Sequence, residues 1–149
     1  MKEIQVKNLP WTFIHGDFHP GNIMWIPDDP TCKVRLFDWE MVGVGFGPQE
    51  LGQYVISHLD LAKHGADVHK ELVKAYYDEL VAVNPAVKET MSFEACFDNF
   101  VYGGLRNWLW MLPSMVKWPG GFMPFFAGKM DAFRLIHGVS PDKIGYPDL

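Results

Sequence analysis

The hydrophobic period of the chain changes about a third of the way along. Before Pro48 the apolar positions come in short runs, Trp11 to Ile14, Asn22 to Ile26 and Lys33 to Phe37, with polar or Gly- and Pro-rich segments between them. Such runs predict strands and tight loops. Pro27-Asp28-Asp29-Pro30 supplies turn residues between the second and third runs, so these two are expected to pair as an antiparallel hairpin. After Pro48 the period lengthens. Leu51, Val55, His58 or Leu59 and Ala62 share one helical face. Val68, Leu72, Val73, Tyr76 and Leu80 share another, in a helix that Asp67 can start and Asn84-Pro85 ends. A third helix is predicted from near Ser92, carrying Phe93, Phe97, Phe100, Val101 and then Trp108. A fourth runs from about Pro124 to Ile136, with Gly138 as its stop. No internal repeat, low-complexity tract or linker interrupts the pattern. It predicts an α+β chain in one domain over residues 1–149, a β-loop-β edge followed by a helical body.

Composition narrows the class. Apolar residues make up 48% and charged residues 21% of 149, the balance of an ordinary globular domain. The net charge of -5 opposes wrapping nucleic acid or docking on an anionic membrane, both of which need a positive field. Cys32 and Cys96 are too few and too far apart for a disulfide scaffold, and are expected as reduced thiols of a cytoplasmic protein. Aromatic residues crowd the second half. Phe100 to Ala127 is the one stretch that raises a membrane span, and Arg106, Pro113, Lys117, Pro119 and Pro124 interrupt it. No span is expected.

The candidate chemistry sits between the first two runs, in His15-Gly16-Asp17-Phe18-His19-Pro20-Gly21-Asn22. Asp38 follows sixteen positions after Asn22, at the end of the third run. Phosphoryl transfer needs a carboxylate near the acceptor hydroxyl and oxygen ligands for the metal on the phosphates. A hairpin entered at Asn22 and left at Asp38 brings those two oxygens to one end, across strands about 5 Å apart. Two other readings stand beside this one. Each polar residue alone is an ordinary turn former. Alternatively, His15 and His19 serve a metal-dependent hydrolase, with Asp38, Glu40 or His58 completing a Zn²⁺ site. Gly16 and Pro20 oppose that second reading, since they forbid the helix on which a zincin pair sits. Gly43-Val44-Gly45-Phe46-Gly47 has neither dinucleotide nor P-loop spacing and is expected to be a flexible segment.

The form H-G-D-x-H-x-x-N, followed by Asp38-Trp39-Glu40, resembles the aminoglycoside phosphotransferase and choline kinase-like superfamily, including its ecdysteroid kinase-like relatives. The resemblance is strongest from Trp11 to about Val55. It implies the C-terminal catalytic lobe of the protein-kinase fold, with Mg²⁺ and ATP used to phosphorylate a hydroxyl of a small molecule. By the same resemblance Asp17 is the catalytic base, Asn22 and Asp38 hold Mg²⁺, His15 braces the loop, and His19 lies near the phosphate or supports the loop. Gly21 permits the turn into Asn22, and Glu40 is a second acidic residue with no assigned role. Where the family carries an aspartate that ties down the loop, this chain has Glu50, one methylene longer. The family's N-terminal nucleotide lobe has no counterpart in the fourteen residues before His15, where Lys2 and Lys7 lie in a polar leader. That lobe is expected as a partner in cis or in trans, and without it apolar surface is expected to be exposed. The aromatic stretch is expected to be mostly core, with Gly103-Gly104 at a close helix approach and Trp108, Trp110 or Trp118 as candidate walls of an acceptor pocket. Two functional readings follow, an enzyme and a non-catalytic binding or assembly module derived from the same lobe.

Overall fold

The protein was analysed as a computed structural model, which describes residues 11–117 and 120–144. Lys2, Lys7 and Trp118 lie outside the described residues. Four three-residue strands form two separate antiparallel pairs. Strand β2 (Ile23–Trp25) pairs with β3 (Val34–Leu36), with Ile23 opposite Leu36 and Trp25 opposite Val34, as the hairpin pattern predicts. Asp29 organises the connecting turn. Its Oδ1 accepts from the Thr31 amide at 2.8 Å, the Thr31 hydroxyl at 2.7 Å and the Cys32 amide at 3.1 Å, and its Oδ2 meets Arg35 at 2.6 Å. Those donors, the Thr31 hydroxyl first, hold the Asp29 carboxyl well below the usual carboxylate range.

The second pair corrects an expectation. Gly43–Gly45, expected to be flexible, is strand β4 and pairs with β1 (Thr12–Ile14), Phe13 opposite Val44. Its glycines hide it from a propensity reading but serve the packing. A Cβ on Gly45 would stand 2.7 Å from Ile14 Cδ1, so the missing side chain is what lets Ile14 lie against the strand.

Helix α1 (Gly47–His58) starts with Pro48 in its first turn, where the missing N–H costs no hydrogen bond. It stops at His58, so Leu59 and Ala62 fall beyond the predicted face. Helix α2 (Ala66–Val83) ends at Asn84-Pro85 as expected, but its buried residues are His69, Val73 and Tyr77, while Val68 is exposed. The face is turned by one residue because a histidine takes a core position. A short helix α3 (Val87–Thr90) follows, unheralded by any periodicity. Ser92 caps α4 (Phe93–Asp98), its Oγ accepting from the Ala95 amide at 3.2 Å. The chain then passes through one π-helical segment, Asn99–Gly103, into α5 (Gly104–Met111) and a 3₁₀ turn over Leu112–Lys117. Helix α6 (Phe122–Ile136) starts two residues before the predicted Pro124, and Gly138, at φ 63°, follows its end. Among the described residues no helix is long and apolar enough to cross a membrane.

The core lies where α1 crosses the π-helical segment and α5. Val55, Ile56, Cys96, Phe100, Leu105 and Phe133 are fully buried there. Trp108 is core as well, stacked on Phe126 at 4.3 Å with its Nε1–H donating to the Gln53 carbonyl at 3.2 Å. It therefore walls no open pocket, and Trp110 is 67% exposed. Both cysteines are free, Cys32 exposed and Cys96 buried, where burial pushes its thiol up to about 12. Apolar exposure concentrates on the strands, with Phe13 81%, Trp25 62% and Val44 62% exposed.

The buried histidine of α2 sets a pH dependence. His69 Nδ1 lies 3.0 Å from His137 Nε2, among Phe97, Phe100 and Phe133. Burial holds both imidazoles below their usual value, His137 at about 4 with His69 adding to the effect, and His69 with a smaller contribution from the charge of His64. The folded protein thus keeps them neutral, while the unfolded chain takes up protons below the ordinary imidazole range near 6.5. Stability should be fully present above about pH 6.5 and fall as pH drops toward 4. Thermal melts from pH 8 to pH 4.5 check this, and a His69→Phe, His137→Phe double variant should flatten the slope.

Candidate active site

The loop between β1 and β2 is built around His15, which is buried. Its Nε2 lies 2.8 Å from the Phe37 carbonyl, and its Nδ1 accepts from the Asp17 amide at 3.3 Å. A carbonyl only accepts, so the proton sits on Nε2, and the one tautomer satisfies both contacts. Trp39 packs against the same ring at 4.6 Å. Both ring nitrogens are engaged, so His15 offers no lone pair to a metal. Among the described residues, no group of three or more His, Cys, Asp or Glu is placed to hold one.

Glu50, in the first turn of α1, fixes the backbone. Its Oε2 accepts from the His15 amide at 2.8 Å and its Oε1 from the Gly16 amide at 2.5 Å. The longer side chain thus makes a two-pronged bridge from helix to loop, at a helix end that favours negative charge. Gly16 sits at φ 84° with the Met41 carbonyl where a Cβ would go, so no other residue fits. Glu50→Ala leaves both amides without their acceptor and should lower unfolding free energy by about 2–3 kcal/mol. Denaturant titration measures this, and Glu50→Gln, which keeps one acceptor oxygen, should lose less.

Asn22 closes the loop. Its amide nitrogen donates to the Asp17 carbonyl at 3.0 Å and reaches Asp17 Oδ2 at 3.4 Å, which turns its Oδ1 away from Asp17. His19 Nδ1 accepts from the Gly21 amide at 3.0 Å, leaving the ring proton on Nε2, 3.4 Å from the same Asp17 Oδ2. The Phe37 amide donates to the Asn22 carbonyl at 3.2 Å, extending the hairpin pairing by one step, so Phe37 stands across from Asn22 and Asp38 is the next residue along. Asp38 has φ 63° and ψ 61°, the one non-glycine residue with positive φ among the described residues. Left-handed backbone at an aspartate is tolerated strain, and such strain gathers at functional sites. Its carboxylate makes no capping hydrogen bond to the 3₁₀ turn Trp39–Met41 that it precedes. Glu40 lies within that turn, at an exposed position.

The structure therefore brings His15, Asp17, His19, Asn22 and the approach to Asp38 together at one end of the β2–β3 hairpin. It also sets two side chains of α1 against the loop, Tyr54, which the sequence does not single out, and His58, which it offers only as a Zn²⁺ ligand. Tyr54 packs on Phe18 at 5.5 Å between ring centroids, and His58 stacks on His19 at 5.7 Å and 14° between planes. Their recurrence at intervals of four from Glu50 was the available signal. A small apolar cleft lined by Thr12, Phe46, Pro48, Tyr76, Leu80 and Asn99 contains none of the loop's polar residues.

No curated protein and no solved structure matches the chain. The sequence profile of the phosphotransferase enzyme family, APH, matches residues 2–82, a span that holds the loop, the hairpin, α1 and all but the last residue of α2. With more than half of its length matched, and the loop inside the match, the chain belongs to the APH family of phosphotransferase enzymes.

Proposed function

We propose that this chain is the C-terminal catalytic lobe of a kinase-like enzyme that uses Mg²⁺ and ATP to phosphorylate a hydroxyl of a small molecule. The nucleotide lobe would act with it in cis or in trans. One observation carries the reading. The Asp17 carboxylate is fixed through Oδ2, between the Asn22 amide and His19 Nε2, and no described donor engages Oδ1. A carboxylate held in that way can take the proton of an acceptor hydroxyl as its oxygen bonds to the γ-phosphorus and the bond to the ADP oxygen breaks.

The donor set suits the metal. Asn22 Oδ1 and the Asp38 carboxylate are hard oxygens, which Mg²⁺ prefers, and the Asn22 amide orientation leaves Oδ1 available. Bound there, Mg²⁺ would neutralise phosphate charge and orient the transferred group. His15, tied to the Phe37 carbonyl, keeps Asp17 and the segment entering Asp38 in fixed relation.

A thermal-shift titration tests the reading. ATP with Mg²⁺ at about a hundredfold over Kd should raise the melting temperature by about 5–10 °C, and ATP with EDTA should not. Asp38→Ala should lose the rise. A wild-type protein whose melting temperature ignores Mg²⁺ and ATP at millimolar concentration would sink the reading for this chain.

A further inference from the structure

Three residues of α1, each four apart, meet the loop in order. Glu50 holds the His15 and Gly16 amides, Tyr54 packs on Phe18, and His58 lies nearly parallel to His19. The third contact reaches furthest, because His19 in turn presents Nε2–H to Asp17 Oδ2 at 3.4 Å. His58 is itself held. The Ser57 hydroxyl donates into the helix, to the Gln53 carbonyl at 2.7 Å, so its oxygen accepts from His58 Nδ1–H at 2.6 Å. Tyr54 flanks the His58 ring at 5.9 Å. The residue lies at the surface, partly covered by His19 and Tyr54, and is not part of the core.

We propose that His58 is a positioning residue: its ring fixes the plane of His19, and His19 then fixes the Asp17 carboxylate. Burial first, then His19 and Lys129, push the His58 imidazole below its usual value, against the pull of Asp17. A neutral ring suits the role, since two stacked imidazolium ions would repel. The catalytic consequence rests on Asp17 being the base; the contact itself does not.

The test separates the two. At pH 8, where free imidazole is neutral, nitrogen-detected imidazole spectra and the carboxyl carbon shift of Asp17 are recorded for the wild type, His58→Ala and His58→Phe. Expected are a single Nε2–H tautomer for His19 in the wild type, mixed tautomers and a moved Asp17 carboxyl signal in His58→Ala, and recovery of both in His58→Phe, which restores a flat ring without its nitrogens. Phosphate transfer from Mg²⁺·ATP should fall about tenfold to a hundredfold in kcat in His58→Ala, with KM for ATP unchanged and activity restored by phenylalanine. Wild-type His19 and Asp17 signals in a folded His58→Ala protein would overturn the proposal whatever the activity. A wild type that fails to bind Mg²⁺·ATP would count against the phosphotransferase reading instead, and the spectra would still decide the role of His58.

Discussion

Asp17→Asn is expected to cut phosphate transfer by about 10²–10⁴-fold while Mg²⁺·ATP binding stays at the wild-type level. The substitution preserves shape. An amide oxygen at the same place can still accept from the Asn22 side chain, now 3.4 Å from Oδ2, so the loop keeps its closure. What is lost is basicity, because an amide cannot take a proton from the acceptor hydroxyl at neutral pH. The Asn22 and Asp38 oxygens are untouched, hence the retained binding. Asp38→Ala should do the reverse and weaken binding first. Radiolabelled γ-phosphate transfer across a panel of alcohol acceptors, paired with nucleotide titration, measures both effects. Equal turnover by the wild type and Asp17→Asn would remove Asp17 from the chemistry.

Gly52→Ala should be among the most damaging substitutions outside the loop, at about 3 kcal/mol or more. A Cβ at this position would run into the Phe100 carbonyl and stand 2.9 Å from the Gly104 Cα. Both obstacles are backbone, so no rotamer change relieves them, and α1 must move away from the π-helical segment and α5. That movement would open the core around Phe100 and Leu105, both fully buried. Gly128→Ala provides the contrast. Gly128 lies inside α6, and the place its new methyl group would take has nothing within 4 Å, so the same change should stabilise by about 1 kcal/mol. Urea denaturation of the two variants should move in opposite directions. Similar midpoints would mean that the helices are not in the close contact described.

Much of this architecture is legible in the sequence, and the failures share a cause. The β2–β3 hairpin shows through its β-prone runs and its Asp29 turn, and α2 through its apolar period and Asn84-Pro85. Strand β4 does not show, because Gly43-Val44-Gly45 has low strand propensity and becomes a strand only when β1 supplies its hydrogen bonds. The face of α2 is misread by one position because hydropathy scores His69 as polar, and nothing local reports that His137 waits 68 residues on. The π-helical segment is hidden for a like reason, since packing against Gly52 and not composition surrounds it. In the candidate site, the polar loop, its partner segment at Asp38 and the stand-in Glu50 are all readable from motif spacing. Tyr54 is not, and His58 shows only as a candidate Zn²⁺ ligand, because a motif names residues that do chemistry and omits those that hold them still.

The pairing of β1 with β4 also bears on how the protein is made. Thr12 finds its partner in Gly45, 33 residues further along. At a ribosomal rate of about 5–20 residues per second, β1 waits roughly 2–7 s for its neighbour to be synthesised, and the Glu50 bridge comes later still. Throughout that interval Trp11, Phe13 and Ile14 have no sheet to join, and a two-stranded pair of three-residue strands is too small to persist by itself. The loop that carries Asp17 therefore leaves the ribosome well before the strand and helix that fix it, which makes its sticky aromatic flank a natural client for a nascent-chain chaperone.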